Sequence, residues 1–183
     1  MNIRFYISLT LAVLLAAYGC SGSAKVEMTE ARDAMEHAKK FNADKLAATD
    51  FQQAQQAWDN GQVAEKEGKT GKAKVLFTSA KIFFDKAADI AKSRKDALSR
   101  ELGDMQVMIG KNFDQVEMDL SRNTLSSRQR RQVMEIVSEV EKDNDSIEEL
   151  VTQGDLVRAV ATAKDVQTKI YHAQLVLAGK EIK

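Results

Sequence analysis

The segment KAKVLFTSAKIFFDKAADIA, residues 72–91, decides the fold. Ala73, Phe77, Ala80, Phe84, Ala87 and Ala91 recur in alternating steps of four and three. That is the stripe of an amphipathic helix, not the alternation of a strand. Beyond Arg94 the stripe resumes with Leu98, Leu102, Met105, Ile109, Phe113, Val116 and Leu120. The chain has no proline, so nothing obliges the helix to stop. A continuous helix from about Lys72 to Leu120 would run about 70–75 Å at ~1.5 Å per residue. Two features leave a kink or break near Gly103 open. The step Leu98–Leu102–Met105 shifts the heptad phase, and Gly103 and Gly110 each weaken a helix by about 1 kcal/mol relative to alanine.

Working outward, Met28, Ala31, Met35, Ala38 and Leu46 keep mostly helical spacing, with Thr29 as an N-cap and Asn42 as an early stop. Thr49-Asp50 starts a second helix that carries Phe51, Ala54, Ala57, Trp58 and Gly61. Gly68 to Gly71 form a tight turn into the long helix. After a turn at Ser121–Ser127, a fourth helix carries Val133, Val137, Val140, Ile147 and Val151. Gly154 turns the chain again, into Leu156, Ala159, Ala163, Val166, Ile170, Ala173 and Leu177. The expected fold is all-α: an elongated antiparallel bundle of about five helices with a long shared central helix. Sub-bundles at 27–97 and 98–180 would share that helix. Placing Gly68 on Gly154 sets Lys72 on Arg158, Ala73 on Ala159, Phe77 on Ala163, Phe84 on Ile170 and Ala87 on Ala173. This reads either as a hairpin used twice or as the similarity of any two amphipathic helices.

Composition agrees with helices. Charged residues are 30% and aromatics 6%, and β-branched runs are scarce. Lys plus Arg equals Asp plus Glu at 27 each, which argues against nucleic acid as the main partner. It also removes any broad steering field.

The first residues set an address. Met1–Arg4 is short and basic, Phe5–Ala17 is apolar apart from Ser8 and Thr10, and Ala17-Tyr18-Gly19-Cys20 follows. A basic start, an apolar run and small residues at a cut site describe a secretory signal peptide, too short for an ordinary span. Ala17 to Cys20 resembles the lipobox of bacterial lipoproteins, although Ala17 replaces the usual leucine and Tyr18 is bulky. The other reading is an ordinary signal peptide with an incidental cysteine. The first reading divides the chain into a signal peptide (1–19), a lipidated Cys20 with its tether (20–26) and a helical domain (27–183). One cysteine allows no intramolecular disulfide. Acylation of Cys20 would anchor the chain, each buried methylene contributing about 0.8 kcal/mol. Ser21, by resemblance to enterobacterial sorting, favours the outer membrane facing the periplasm.

The run from Ala47 through Gln52, Gln53, Gln55 and Gln56 to Trp58, then Gly68, Ala73, Phe77, Ala80 and Ala87, resembles a bacterial family of uncharacterised helical envelope lipoproteins. Some of its members carry an OmpA-like domain behind the helices; peptidoglycan anchoring by such a domain is not expected here. Trp58, Gly68, Ala73, Phe77 and Ala80 also resemble a tetratricopeptide hairpin, with a longer turn and without its tyrosine. The likeness covers about residues 27–97.

The residue pattern offers no catalytic set and no metal set. His37 and His172 are the only histidines. Asp33 and His37 lie one turn apart, which more often marks a solvated pair than two ligands. Zinc needs three or four ligands. Gly68-Lys69-Thr70-Gly71-Lys72 lacks the spacing and the strand of a phosphate loop. The carboxylates from Glu139 to Glu149 read as a solvated helix face. Two groups remain as candidate partner contacts. Arg122, Arg128, Arg130 and Arg131 surround a helix start, where positive charge opposes the macrodipole. Trp58 and Phe83 belong to the largest aromatic group; an exposed ring there would make a peptide groove. The expected function is a non-enzymatic scaffold or adaptor for envelope proteins, without cofactor beyond the lipid on Cys20. The alternative is a carrier or chaperone for lipid or unfolded outer-membrane chains.

Overall fold

In a computed structural model, residues 23–122 and 125–180 are described. The expected signal segment, Cys20 and the first residues of the tether lie outside them. The described residues form six helices and no strand: α1 (Lys25–Lys40), α2 (Ala43–Leu46), α3 (Ala48–Lys66), α4 (Thr70–Ser121), α5 (Ser127–Thr152) and α6 (Leu156–Leu177). The fold is the expected all-α bundle with a long central helix. No described helix is long and apolar enough to cross a membrane.

Helix α4 is one element of 52 residues that passes through Gly103 and Gly110. Glycine costs helix propensity but does not break the hydrogen-bond ladder as proline does. The sixth helix arises at Asn42, whose φ of 56° is left-handed. Asparagine tolerates that conformation, so α1 ends there and a single turn, α2, follows before α3. Two expected starts move. Thr29 is not a cap: α1 begins at Lys25, inside the stretch assigned to the tether, and the Thr29 hydroxyl donates to the Lys25 carbonyl at 2.8 Å. Gly71 is already helical, so the turn into α4 is shorter than expected.

The chain divides into two compact units between Lys92 and Ser93. In the first, Ala31, Ala34 and Ala38 of α1 and Ala54, Trp58, Gly61 and Ala64 of α3 are buried. So are Ala73, Phe77, Ala80, Phe84, Ala87, Ala88 and Ala91 of α4. Alanine brings backbones close but buries little area, so the large side chains carry much of the apolar contact. The Phe84 ring meets Phe51, and the Phe77 ring meets Trp58, each with centroids 5.2 Å apart. Gly61 makes room for Phe77, because a Cβ at Gly61 would lie 2.8 Å from Phe77 Cε1.

In the second unit, Leu102, Met105, Ile109 and Val116 of α4 meet Val133, Val140, Ile147 and Leu150 of α5. Eight residues of α6, Leu156 to Val176, complete the core. Leu150, not Val151, takes the seam of α5; Val151 is exposed and Val137 half-buried. Helices α5 and α6 are antiparallel: Gln129 reaches the Val176 carbonyl, and Lys169 reaches Glu139 and Asp143.

The two glycine turns are built alike. Gly68 donates to Glu65 and Lys69 to Ala64; Gly154 donates to Val151 and Asp155 to Leu150, with φ 71° and 73° at the glycines. This is the Schellman termination, which needs a left-handed residue. Taken 86 residues apart, Ala54 and Val140, Gly61 and Ile147, Ala64 and Leu150, Ala73 and Ala159, Phe77 and Ala163, Ala80 and Val166, Phe84 and Ile170, and Ala87 and Ala173 are buried in both hairpins. A Cβ at Gly68 would meet nothing within 4 Å, so Gly68→Ala tests backbone conformation alone. It should cost about 1–2 kcal/mol in a urea titration. Asparagine there should cost less.

Candidate functional site

The arginine group sits where α4 ends and α5 begins. Ser126 caps α5: its hydroxyl accepts from the Gln129 amide at 3.2 Å, and the Gln129 side chain accepts from the Ser126 amide at 3.1 Å. This reciprocal box satisfies two orphan donors and fixes the direction of the first turn. Arg130, one residue on, therefore points back at the end of α4. Its guanidinium donates to the Leu120 carbonyl at 2.9 Å and to the Arg122 carbonyl at 3.2 Å. Positive charge here satisfies carbonyls at a negative helix end, which offsets the unfavourable position at the start of α5.

The four arginines thus separate. Arg130 is half-buried and is used by the fold. Arg122 pairs with Asp119 at 3.0 Å and is largely exposed. Arg128 and Arg131 are exposed. Arg131 also lines a shallow surface concavity of about 580 Å³ together with Leu125, Ser127, Arg130, Met134 and Glu135. Met134 is 56% exposed there, so the concavity has an apolar wall and a charged rim of Arg130, Arg131 and Glu135.

The aromatic candidates also separate. Trp58 is 6% exposed, packed on Phe77, and is a core residue. Phe83 is half-buried at the edge of α4. No fully exposed ring opens a groove between α3 and α4.

On the second unit, Lys169 bridges Glu139 at 2.7 Å and Asp143 at 3.1 Å, drawing two of the crowded carboxylates into a structural ion pair. Hydrogen bonds from Glu139 and then Asp143 raise the Lys169 pKa above its ordinary value, against a smaller opposing effect of burial. A lysine whose folded pKa is raised stabilises the fold below its unfolded value of about 10.4. That contribution disappears as pH rises through the higher folded value. Lys169→Gln should therefore be less stable than wild type at neutral pH, and the gap should shrink at strongly alkaline pH. Thermal melts between neutrality and the alkaline limit read this directly; a constant gap would assign the loss to packing.

His37 makes an edge contact with Phe41, rings 5.2 Å apart, and shares a shallow surface with Asp33, Glu30, Lys81 and Asp85. Among the described residues no group of three or more His, Cys, Asp or Glu is placed to hold a metal ion. Cys20 lies outside the described residues.

One surface escaped the sequence reading. Val75 and Ile82 of α4, seven residues apart, are 66% and 60% exposed. Their signal was present: from Gly68 to Phe84 there are four lysines and no carboxylate, in a chain otherwise balanced in charge.

No protein-family model matches this sequence, and no curated protein or solved structure is significantly similar to it.

Proposed function

We propose that this chain is a non-enzymatic lipoprotein of the cell envelope, anchored through acylated Cys20, that acts as a helical scaffold for protein partners. The address rests on the basic start, the apolar run and the lipobox-like Ala17 to Cys20. The observation that carries the scaffold reading is the distribution of side chains. Among the described residues no polar or charged residue is buried, so chemistry is confined to the helix faces. The seam residues Ala73, Phe77, Ala80 and Phe84 are fully covered, which favours a solid scaffold over a hollow carrier. A lipid anchor would raise the effective concentration of this surface for other envelope proteins. The near-neutral charge favours protein partners over nucleic acid.

Crosslinking in the native envelope tests this. Capture of a specific envelope protein, lost on Arg128→Ala with Arg131→Ala but retained by a variant altered elsewhere on the surface, is the expected result. Capture of lipid alone, or of many unfolded chains, would replace the scaffold by a carrier or chaperone.

A further inference from the structure

We propose that the solvent face of α4 between Gly71 and Lys86 docks on an anionic lipid surface, resting the first unit on the membrane to which Cys20 ties it. The proximity step rests on the anchor proposed above; the surface itself does not.

The face is inverted relative to an ordinary solvated helix. Val75 and Ile82 form its exposed centre, and half-buried Leu76 and Phe83 extend it toward α3. At helical spacing, Lys74 and Lys81 flank one side of this strip and Lys72 and Lys86 the other. Lys74, Lys81 and Lys86 also pair with Glu27, Asp85 and Asp50, while their side chains stay 39%, 39% and 58% exposed. Lys72 is exposed as well. Carboxylates enter this face only at Asp85 and Asp89. Apolar residues bounded by lysines are the pattern of an interfacial helix, in which lysine stems follow the apolar surface and the ammonium groups reach phosphates.

Two observations choose the occupant. The first is charge. Residues 71–86 carry four lysines against one carboxylate, Asp85; Glu27 and Asp50 pair with two of those lysines and Lys72 stays exposed, so the face offers ammonium groups to an anionic surface. The second is position. The Lys74 ammonium lies 3.6 Å from Glu27, which places the start of α4 beside the start of α1. Lys25, the first residue of α1, is five residues from Cys20, a distance of at most about 18 Å even when fully extended. An anchored chain therefore holds this end of the first unit at the bilayer. Val26, 66% exposed, lies at the same end.

The second hairpin serves as a control within the chain. The positions equivalent to Val75, Leu76, Ile82 and Phe83 are Ala161, Thr162, Thr168 and Lys169. The scaffold does not require apolar residues at these positions, and the second hairpin has none larger than alanine there.

The test uses the protein as the cell makes it, reconstituted in vesicles of phosphatidylcholine alone or of three parts phosphatidylcholine to one part phosphatidylglycerol. An acylated Cys20 leaves single thiols introduced as Val75→Cys or Ile82→Cys free for an environment-sensitive dye, with Ala161→Cys and Thr168→Cys as controls. Expected are a several-fold rise in emission and quenching by spin-labelled lipid at positions 75 and 82 in the anionic vesicles, and no change at 161 and 168. Lys72→Glu, which reverses one charge, should lower the docked-to-undocked ratio roughly thirty-fold, at about five-fold per unit charge. Dyes at 75 and 82 that stay in water overturn the proposal, as does an equal response at 161 and 168. Shielding only by a co-purifying protein would replace the bilayer with that protein. The mass of the N-terminal peptide decides the anchor separately. If Cys20 is unacylated, the same dyes are read in a Cys20→Ser chain at high vesicle concentration, where water-exposed labels again overturn docking.

Discussion

Replacing Phe77 by alanine is expected to destabilise the first unit by about 3–5 kcal/mol, the range for deleting a buried phenylalanine. Phe77 is fully buried, packed on Trp58 and seated over Gly61. Ala73 and Ala80, one turn to either side on α4, are buried and too short to move into the space, so little of the cavity closes. The second unit shows how to fill it. Where the first has Gly61 and Phe77, the second has Ile147 and Ala163: the bulk has changed helices while both positions remain buried. Gly61→Ile combined with Phe77→Ala should therefore recover more than 1 kcal/mol of the loss, a coupling that a double-mutant cycle isolates. Gly61→Ile alone should be destabilising, since even a Cβ would press on the Phe77 ring at 2.8 Å. Trp58 is the only tryptophan, so its emission in a urea titration reports the first unit. Strictly additive single substitutions would show that the two positions do not share one space.

The swap also shows what can be read from sequence. The seam was legible because Ala73, Phe77, Ala80, Phe84, Ala87 and Ala91 repeat at helical spacing and nothing polar interrupts them. Both glycine turns were legible because each follows a helical stripe and precedes another. The partition of volume between Gly61 and Phe77 was not, because it depends on which residues of two helices meet. On α5, Val151 follows the helical period as well as Leu150 does, and only the approach of α6 favours Leu150. Among the candidate contacts, Trp58 was read by residue type, and burial assigns it to the core. The arginines were singled out for a cost at the start of α5. The macrodipole cost at the start of α5 leaves out the carbonyls at the end of α4, which the Arg130 guanidinium reaches. The Val75 and Ile82 strip went unread because attention to the apolar seam discards residues that fall off it.

Arg130→Ala is expected to cost about 1.5–3 kcal/mol, the range for a hydrogen bond made by a charged group, while Arg128→Ala and Arg131→Ala each stay within about 0.5 kcal/mol. Arg130 places two N–H groups on carbonyls of different residues, Leu120 at 2.9 Å and Arg122 at 3.2 Å. Leu120 is in the last turn of α4 and Arg122 is the residue after Ser121, where no further turn supplies donors. Removing the guanidinium should also loosen the α4–α5 connection, which hydrogen exchange at residues 116–130 would register. Lysine should restore only part of the loss, because a compact ammonium lacks the planar fork that spans two acceptors. Equal losses from all three alanine substitutions would mean that the group acts through its summed charge, and salt should then reduce the effect. The distinction decides how a partner experiment is interpreted. A partner lost on Arg130→Ala together with stability reports a damaged turn. A partner lost on Arg128→Ala and Arg131→Ala at unchanged stability reports a contact, because those two side chains are exposed on the first turn of α5 and the hydrogen bonds of Arg130 and of the Ser126–Gln129 box are left intact.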